Sequence, residues 1–261
     1  MKNFDVINEN KHKFPIIISI PHSGTYIPKD IRNKLIEDVI LPNTDWFLKE
    51  LYSFLKEEEV TVIQNNISRY VIDVNRDANI VKAKNYRKDL VFSKTSKGKE
   101  IFKNSITRKD VERRINVYYK PYHNEIKSLI KEKLKYFKKV YIIDLHSYYT
   151  TPNGIIDKVL LGNQNGRTSS SESFDFICDT FLDKGLEVEC NKEFLGGYIT
   201  KYYGTKYGNK VESIQIELPY SKYIENRIFT EEVVSYYDKE LFKEMQNNLK
   251  YIFKRLVLKL S

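Results

Sequence analysis

Cysteine is scarce in this chain. Cys178 and Cys190 are the only two, and their spacing forms no C-x-x-C pair. A disulfide framework and an all-cysteine zinc site are therefore excluded, and both residues are expected as ordinary buried thiols. Long apolar runs are also missing, since none approaches the ~20 residues of a membrane helix. The opening MKNFDVINENKHK has no apolar segment of the secretory kind. The expectation is a soluble cytoplasmic protein with no membrane partner. Repeats, low-complexity tracts and linker-like stretches are absent as well, so residues 1–261 read as a single domain. Basic charge is present but not gathered. The net charge of +9 comes from lysines interleaved with acids, as in TSKGKEIFKNSITRKD, and that dispersal argues against a nucleic-acid partner.

What the chain does have is a series of short β-branched runs, at 15–20, 61–65, 69–74, 140–145, 158–162 and 212–218. Several are apolar on both faces, as strands covered on both sides must be. Helical patterns fall between them. DWFLKELYSFLKEE carries Leu48, Leu51 and Leu55 on one face. The stretch 107–137 opens with a Thr-x-x-Asp start at Thr107 and is expected to kink or break near Pro121. SESFDFICDTFLDKG ends on a glycine, and 230–260 reads as one long amphipathic helix. Strands alternating with helices predict an α/β fold, a three-layer α/β/α sandwich with its ligand site beyond the carboxyl ends of the strands. Segments 93–106 and 162–173 read as exposed loops that border such a site.

The chain has only four histidines, and two of them end similar apolar runs: His22 after IIISIP and His146 after VYIIDL. Glu217 lies inside IQIEL, and Asn75-Arg76 follow YVIDV, so all of these gather at predicted strand ends. A hydrolytic zinc site needs about three His or carboxylate ligands plus a nearby carboxylate to take a proton from water. His22, His146 and Glu217 supply most of that set. For the third ligand Asp45 is the first candidate, although an Asp before WFLKELY also suits a helix N-cap. Asp144 competes, because it lies two residues before His146 and shares its strand face; it equally suits a hydrogen-bond acceptor behind a ligand histidine. Arg69 and Arg76 are cations suited to a substrate carboxylate or a developing oxyanion. On one straight strand they face opposite sides, so a turn at Asn75 is needed to bring both to one pocket. His123 falls in a helical stretch as a surface or core residue, and His12 has no assigned role.

These motifs together resemble the N-formylglutamate amidohydrolase family. The matching stretches are IPHSGTYIP, NTDWFLKELY, SRYVIDVNRD, YYKPYHNEI, IIDLHSYYT, VLLGNQNGRTSS, LGGYITKYYG and IQIELPYSKYI, in family order from about residue 16 to 224. The resemblance implies a carboxypeptidase-like fold, with a mixed, mostly parallel sheet between helices. It implies one Zn2+ or a similar divalent ion held by His22, Asp45 and His146, with Glu217 as general base. Arg69 would stabilise the oxyanion, and Asn75 with Arg76 would hold the substrate's α-carboxylate. One departure stands out: the zinc carboxypeptidases place a glutamate ligand three residues after the first histidine, and this chain has Thr25 there. That favours Asp45 over other sources of the third ligand. The expected substrate is a small N-acyl amino acid, N-formylglutamate by family. Other N-acyl amino acids or short peptides on the same metal site are the alternatives within hydrolases, and a basic nucleic-acid-binding protein is the alternative outside them.

Overall fold

The computed structural model describes residues 2–10, 12–80, 85, 88–150 and 154–261. Its strands are β1 (Phe4–Ile7), β2 (Ile16–Ile20), β3 (Thr61–Asn65), β4 (Val140–Tyr148), β5 (Val159–Gly162), β6 (Val188–Cys190) and β7 (Val211–Pro219). They join one sheet in the order β1-β3-β2-β4-β7-β5-β6. Pairing is parallel except for β1 against β3 and β5 against β7, which makes the sheet mixed and mostly parallel.

The double-sided apolar pattern of β2 decides the layering. Ile16, Ile18 and Ile20 enter one core, and Ile17 enters the other. The first core is closed by α2 (Leu48–Leu51), α5 (Ser171–Leu182) and α7 (Lys239–Lys259). The second is closed by α3 (Arg108–Arg114), α4 (Lys120–Lys133) and α6 (Tyr198–Lys206), while the short α1 (Lys29–Arg32) sends Ile31 into it. From β2 the chain passes to β3 on one side, over the first face. It later returns to β4 on the other side of β2, over the second face. The direction of winding thus reverses at β2, which opens a crevice beyond the carboxyl ends of β2 and β4. No helix among the described residues is long and apolar enough to cross a membrane.

Local signals explain where several helices start and stop. Thr107 Oγ1 accepts from the Asp110 N–H at 3.1 Å, as the Thr-x-x-Asp pattern predicts. The α5 helix closes with Gly185 at φ +70°, and the Leu186 N–H reaches back to Phe181 O.

Other expectations are corrected. Residues 69–74 form no strand. Val71, Ile72 and Val74 are apolar because they fill the second core, while the backbone turns, Val71 N–H bonding Ser68 O and Asp73 N–H bonding Leu90 O. The helix expected from residue 45 is only α2 followed by a 3-10 turn, Ser53–Lys56, because Phe47 is left-handed at φ 59°. The final helix begins at Lys239, where the Asp238 carboxylate caps the Glu240 and Leu241 amides. Residues 230–237 are irregular and are held by Glu231, which accepts from Ser96 Oγ and the Lys97 N–H. Helix 107–137 does not break at Pro121, and a π turn at Ile115–Tyr119 absorbs the proline. Segment 162–173 is not an exposed loop throughout: Asn163, Thr168 and Ser169 are buried, and α5 starts inside it. The cysteines are half-buried, with their Sγ atoms 3.8 Å apart.

Candidate metal centre and active site

His22 stands two residues beyond β2. The chain between them is tethered by Asn65 Nδ2, which donates to Pro21 O at 3.1 Å. Gly24 is needed in this turn for space, since a Cβ there would lie 2.5–2.7 Å from the backbone of Asn66 and Ile67. His146 lies within the last part of β4, directly across from Glu217 in β7. The two imidazoles meet over the crevice, with ring centroids 4.8 Å apart.

Asp45 comes to them from the irregular segment that precedes α2. It caps no helix; its N–H instead bonds His22 O at 3.2 Å. Asp45 Oδ2 lies 3.0 Å from His146 Nδ1 and 3.7 Å from His22 Nδ1. Three hydroxyls hold the segment that carries it: Tyr70 on Pro42 O at 2.6 Å, Tyr220 on Thr44 O at 2.5 Å and Tyr223 on Trp46 O at 2.9 Å. One ligand-type atom from each of His22, Asp45 and His146 lies within 4.8 Å of the others, and all three residues are buried.

The far nitrogens of both rings are also committed. His22 Nε2 lies 2.6 Å from Asp73 Oδ1, and His146 Nε2 lies 2.9 Å from Asp144 Oδ2. Each ring therefore has a buried carboxylate at Nε2 and its Nδ1 turned toward Asp45. That is the arrangement in which a carboxylate fixes the tautomer of a metal-binding histidine. Two imidazole nitrogens and one carboxylate oxygen, converging beside a cavity, fit a divalent cation with an open position. Asp144 sits behind His146 rather than beside Asp45.

Charge is balanced locally. Burial alone would raise the Asp73 carboxyl, but the charges of His22 and Arg69 hold it well below its ordinary range. Burial lowers His22, with Arg69 adding to the effect. His146 is raised well above its usual value despite burial, because Asp144 and Asp45 favour its charged form. Arg69 Nη2 donates to Asp73 Oδ2 at 2.8 Å and Nη1 to Asn43 O at 3.1 Å, and its guanidinium also lies 3.9 Å from Asp45 Oδ1. Arg76 is different: among the described residues its buried Nε has no partner, and Nη1 reaches only Asn75 O at 3.3 Å. The turn expected at Asn75 is present, and both guanidinium groups line the same cavity of about 320 Å³, together with the His22/Asp45/His146 cluster and Glu217.

Glu217 accepts a hydrogen bond from Gln215 Nε2 at 2.9 Å, and Gln215 Oε1 in turn accepts the Gly197 N–H at 2.6 Å. Burial pushes the Glu217 carboxyl up to about 8, with the charge of His146 pulling the other way. Asn75 is occupied on both sides. Its Oδ1 accepts the Ile199 N–H at 2.7 Å, and its Nδ2 faces His146 Nε2 at 3.0 Å and Asp144 at 3.4 Å. It braces the first turn of α6 against His146, besides lining the cavity.

Asp73 and Gln215 were not picked out from the sequence. A signal for Asp73 existed: VIDVN repeats the pattern of IIDLH, an acid inside a buried apolar run. Thr25 is exposed and takes no part in the cluster. Of the two loops expected to border the site, 162–173 supports it from behind, through Gln164 Nε2 on Gly196 O at 2.5 Å. Segment 93–106 contributes Lys94, Thr95 and Ser96 to a smaller cavity that shares Asn43 and Arg69 with the main one.

A sheet that reverses its winding at β2, with a carboxylate-backed His/Asp cluster and a buried glutamate at its carboxyl edge, defines an α/β protein with a site of hydrolase type. Comparison with known proteins narrows this. Residues 14–224 match the model of the N-formylglutamate amidohydrolase family, and the chain belongs to that family. It is 27% identical over 238 residues to an N-formylglutamate deformylase of Pseudomonas putida, covering 84% of this chain and 85% of the relative. It is 25% identical over 241 residues to an N-formylglutamate deformylase of Pseudomonas aeruginosa, covering 85% and 87%. In fold it matches the crystal structure of an N-formylglutamate amidohydrolase from Ralstonia eutropha, at TM-score 0.85 and 22% identity, over 100% of this chain and 99% of the other. A gene product of Agrobacterium tumefaciens shares the fold at TM-score 0.75 and 16% identity, over 100% and 96%.

Proposed function

We propose that this chain is a metal-dependent amidohydrolase that cleaves N-formylglutamate to formate and glutamate. The observation that carries the metal part is the pair of Nδ1 atoms facing one carboxylate, each ring backed at Nε2 by a buried acid. The substrate comes from the relatives, two of which are named N-formylglutamate deformylase. His22, Asp45 and His146 would hold the cation, and zinc suits two imidazoles and a carboxylate. Such an ion supplies Lewis acidity, polarising the acyl carbonyl and making water acidic enough to react near neutral pH.

The remaining steps belong to the chain's own side chains. Glu217 takes a proton from the attacking water, whose oxygen forms the new bond to the formyl carbon. Gln215 occupies Oε1, which leaves Oε2 as the oxygen that receives the proton. Glu217 then delivers that proton to the departing nitrogen as the C–N bond breaks. Arg69, fixed by Asp73 and Asn43 O, faces the negative charge that develops on the carbonyl oxygen. Arg76, whose buried Nε has no partner among the described residues, is the cation available for the substrate's α-carboxylate. Asn75 orients that end of the site.

Elemental analysis of the purified protein, followed by turnover of N-formylglutamate with and without a chelator, tests the proposal. One bound divalent ion and activity abolished by chelation and restored by metal are expected. Chelator-insensitive turnover would remove the metal from the mechanism. A panel of formyl, acetyl and succinyl amino acids against short peptides separates this substrate from other acyl amino acids.

A further inference from the structure

Among the described residues, the loop that carries Asp73, Asn75 and Arg76 has no strand partner for its carbonyls, and a single helix meets three of them with side chains. Arg114 Nη1 donates to Val71 O at 2.9 Å, His123 Nε2 to Val74 O at 2.8 Å and Tyr119 Oη to Arg76 O at 2.8 Å. Residues 114 and 119 are five apart, and at about 3.6 residues per turn an unbroken α-helix would point them to different sides. The π turn at Ile115–Tyr119 removes that offset, since its hydrogen bonds span five residues: the Lys120 N–H bonds Ile115 O. The sequence supplies the cause. Pro121 has no N–H to offer Val117 O, and Asn3 Nδ2 takes that carbonyl at 2.8 Å instead.

Two of these contacts bracket the Asn75-Arg76 pair, one on the carbonyl before it and one on the carbonyl after it. Tyr119 and His123 also support each other, with ring centroids 4.3 Å apart, and His123 Nδ1 lies 2.9 Å from Tyr203 Oη. Among the described residues the Arg76 guanidinium is held only by Nη1 on Asn75 O, so its direction into the cavity follows from its backbone. Resting on the hydrolase reading above, we infer that Tyr119 and His123 are positioning residues for substrate recognition: they clamp the backbone on either side of Asn75-Arg76 and so aim the Arg76 guanidinium at the α-carboxylate. Neither reaches the reacting atoms. Their contribution is therefore one of uniform binding, which appears in KM rather than kcat.

The test uses the full chain loaded with metal. N-formylglutamate is compared with its α-carboxamide counterpart, which keeps the scissile bond and lacks the anion. Tyr119→Phe deletes one hydroxyl and keeps the ring. It is expected to raise KM for the acid roughly fivefold, with kcat within about twofold and kcat/KM for the amide little changed. His123→Leu is expected to act in the same direction, and His123→Gln, which restores an N–H near the position of Nε2, to recover most of the loss. Equal losses on acid and amide, or a loss confined to kcat, would overturn the inference. If His123→Leu fails to fold, Tyr119→Phe decides alone. Wild-type protein that hydrolyses neither compound would instead remove the hydrolase reading, and this inference with it.

Discussion

Asp73 Oδ1 lies 2.6 Å from His22 Nε2, on the ring nitrogen turned away from Asp45. Asp144 stands in the same relation to His146. On the metal-dependent reading proposed above, each carboxylate would accept a hydrogen bond from Nε2–H, leave Nδ1 to the cation and hold the ring's orientation. Asp73→Asn and Asp144→Asn are each expected to weaken metal affinity by roughly 10–100-fold without abolishing it. Asp45→Ala, which removes a proposed ligand, is expected to leave no stoichiometric metal. Competition with a fluorescent chelator measures all three. Equal losses from Asp45→Ala and Asp144→Ala would put Asp144 in the first coordination sphere.

Glu217 has a different task, and its variant should separate from those. Glu217→Gln keeps the volume and removes the proposed base, so kcat is expected to fall by about 10²–10⁴-fold with metal content unchanged. The working form of the base is the carboxylate, so kcat/KM rises with pH through its pKa. Burial raises that pKa to about 8 against the opposing charge of His146, and a cation at the cluster would pull it down from there. The acid limb is expected between the ordinary ~4.3 and that upper bound. Gln215→Leu deletes a hydrogen bond that favours the carboxylate and should move the limb upward. A downward shift would contradict the assignment of Glu217 as the titrating base.

Much of this site was legible in the sequence because strands deliver residues predictably. His22, His146 and Glu217 follow from apolar runs of strand length, and the shared face of Asp144 and His146 follows from a period of two. Residues carried by irregular backbone were harder to place. RYVIDV reads as a strand because its apolar residues are buried, yet Arg114 and His123 satisfy carbonyls of it in place of a neighbouring strand. DWFLKELY reads as a helix start at Asp45, yet a left-handed Phe47 and three tyrosine hydroxyls lift that aspartate into the crevice. Both contacts are long-range, and no local pattern announces them. The edge strands β1 and β6 were missed for a simpler reason: FDVI and VEC are too short to show a period.

Gly197 lines the cavity and packs directly against Asn75. A Cβ at this position would lie 2.4 Å from Asn75 Nδ2 and 2.7 Å from its Cγ. Its φ of −77° suits any residue, so the constraint is space alone. Gly197→Ala is expected to push Asn75 off His146 and the α6 amides, lowering kcat/KM by about tenfold or more while the protein stays folded by circular dichroism. Asn75→Gly in the same chain makes room for the methyl group. If the double variant is no worse than Asn75→Gly alone, the clash with Asn75 accounts for the whole effect.

His123 gives a pH signature in stability rather than in turnover. It is 4% exposed, and burial lowers its pKa from 6.5 to about 4, because protonating Nδ1 would place an uncompensated charge among Tyr119, Tyr203 and Val74 O. Between those two values the unfolded chain binds a proton that the native protein does not. Stability from this residue is therefore fully present above about pH 6.5 and is lost as pH falls toward 4, by roughly 3 kcal/mol at most. His123→Gln has nothing to titrate there. Urea unfolding at pH 7 and at pH 4.5 should show the wild-type advantage over the variant shrinking or reversing on acidification, the other titrating groups cancelling in the difference. Parallel loss of stability in both proteins would mean that native His123 takes up its proton over the same range as in the unfolded chain, which would contradict the effect of burial on it.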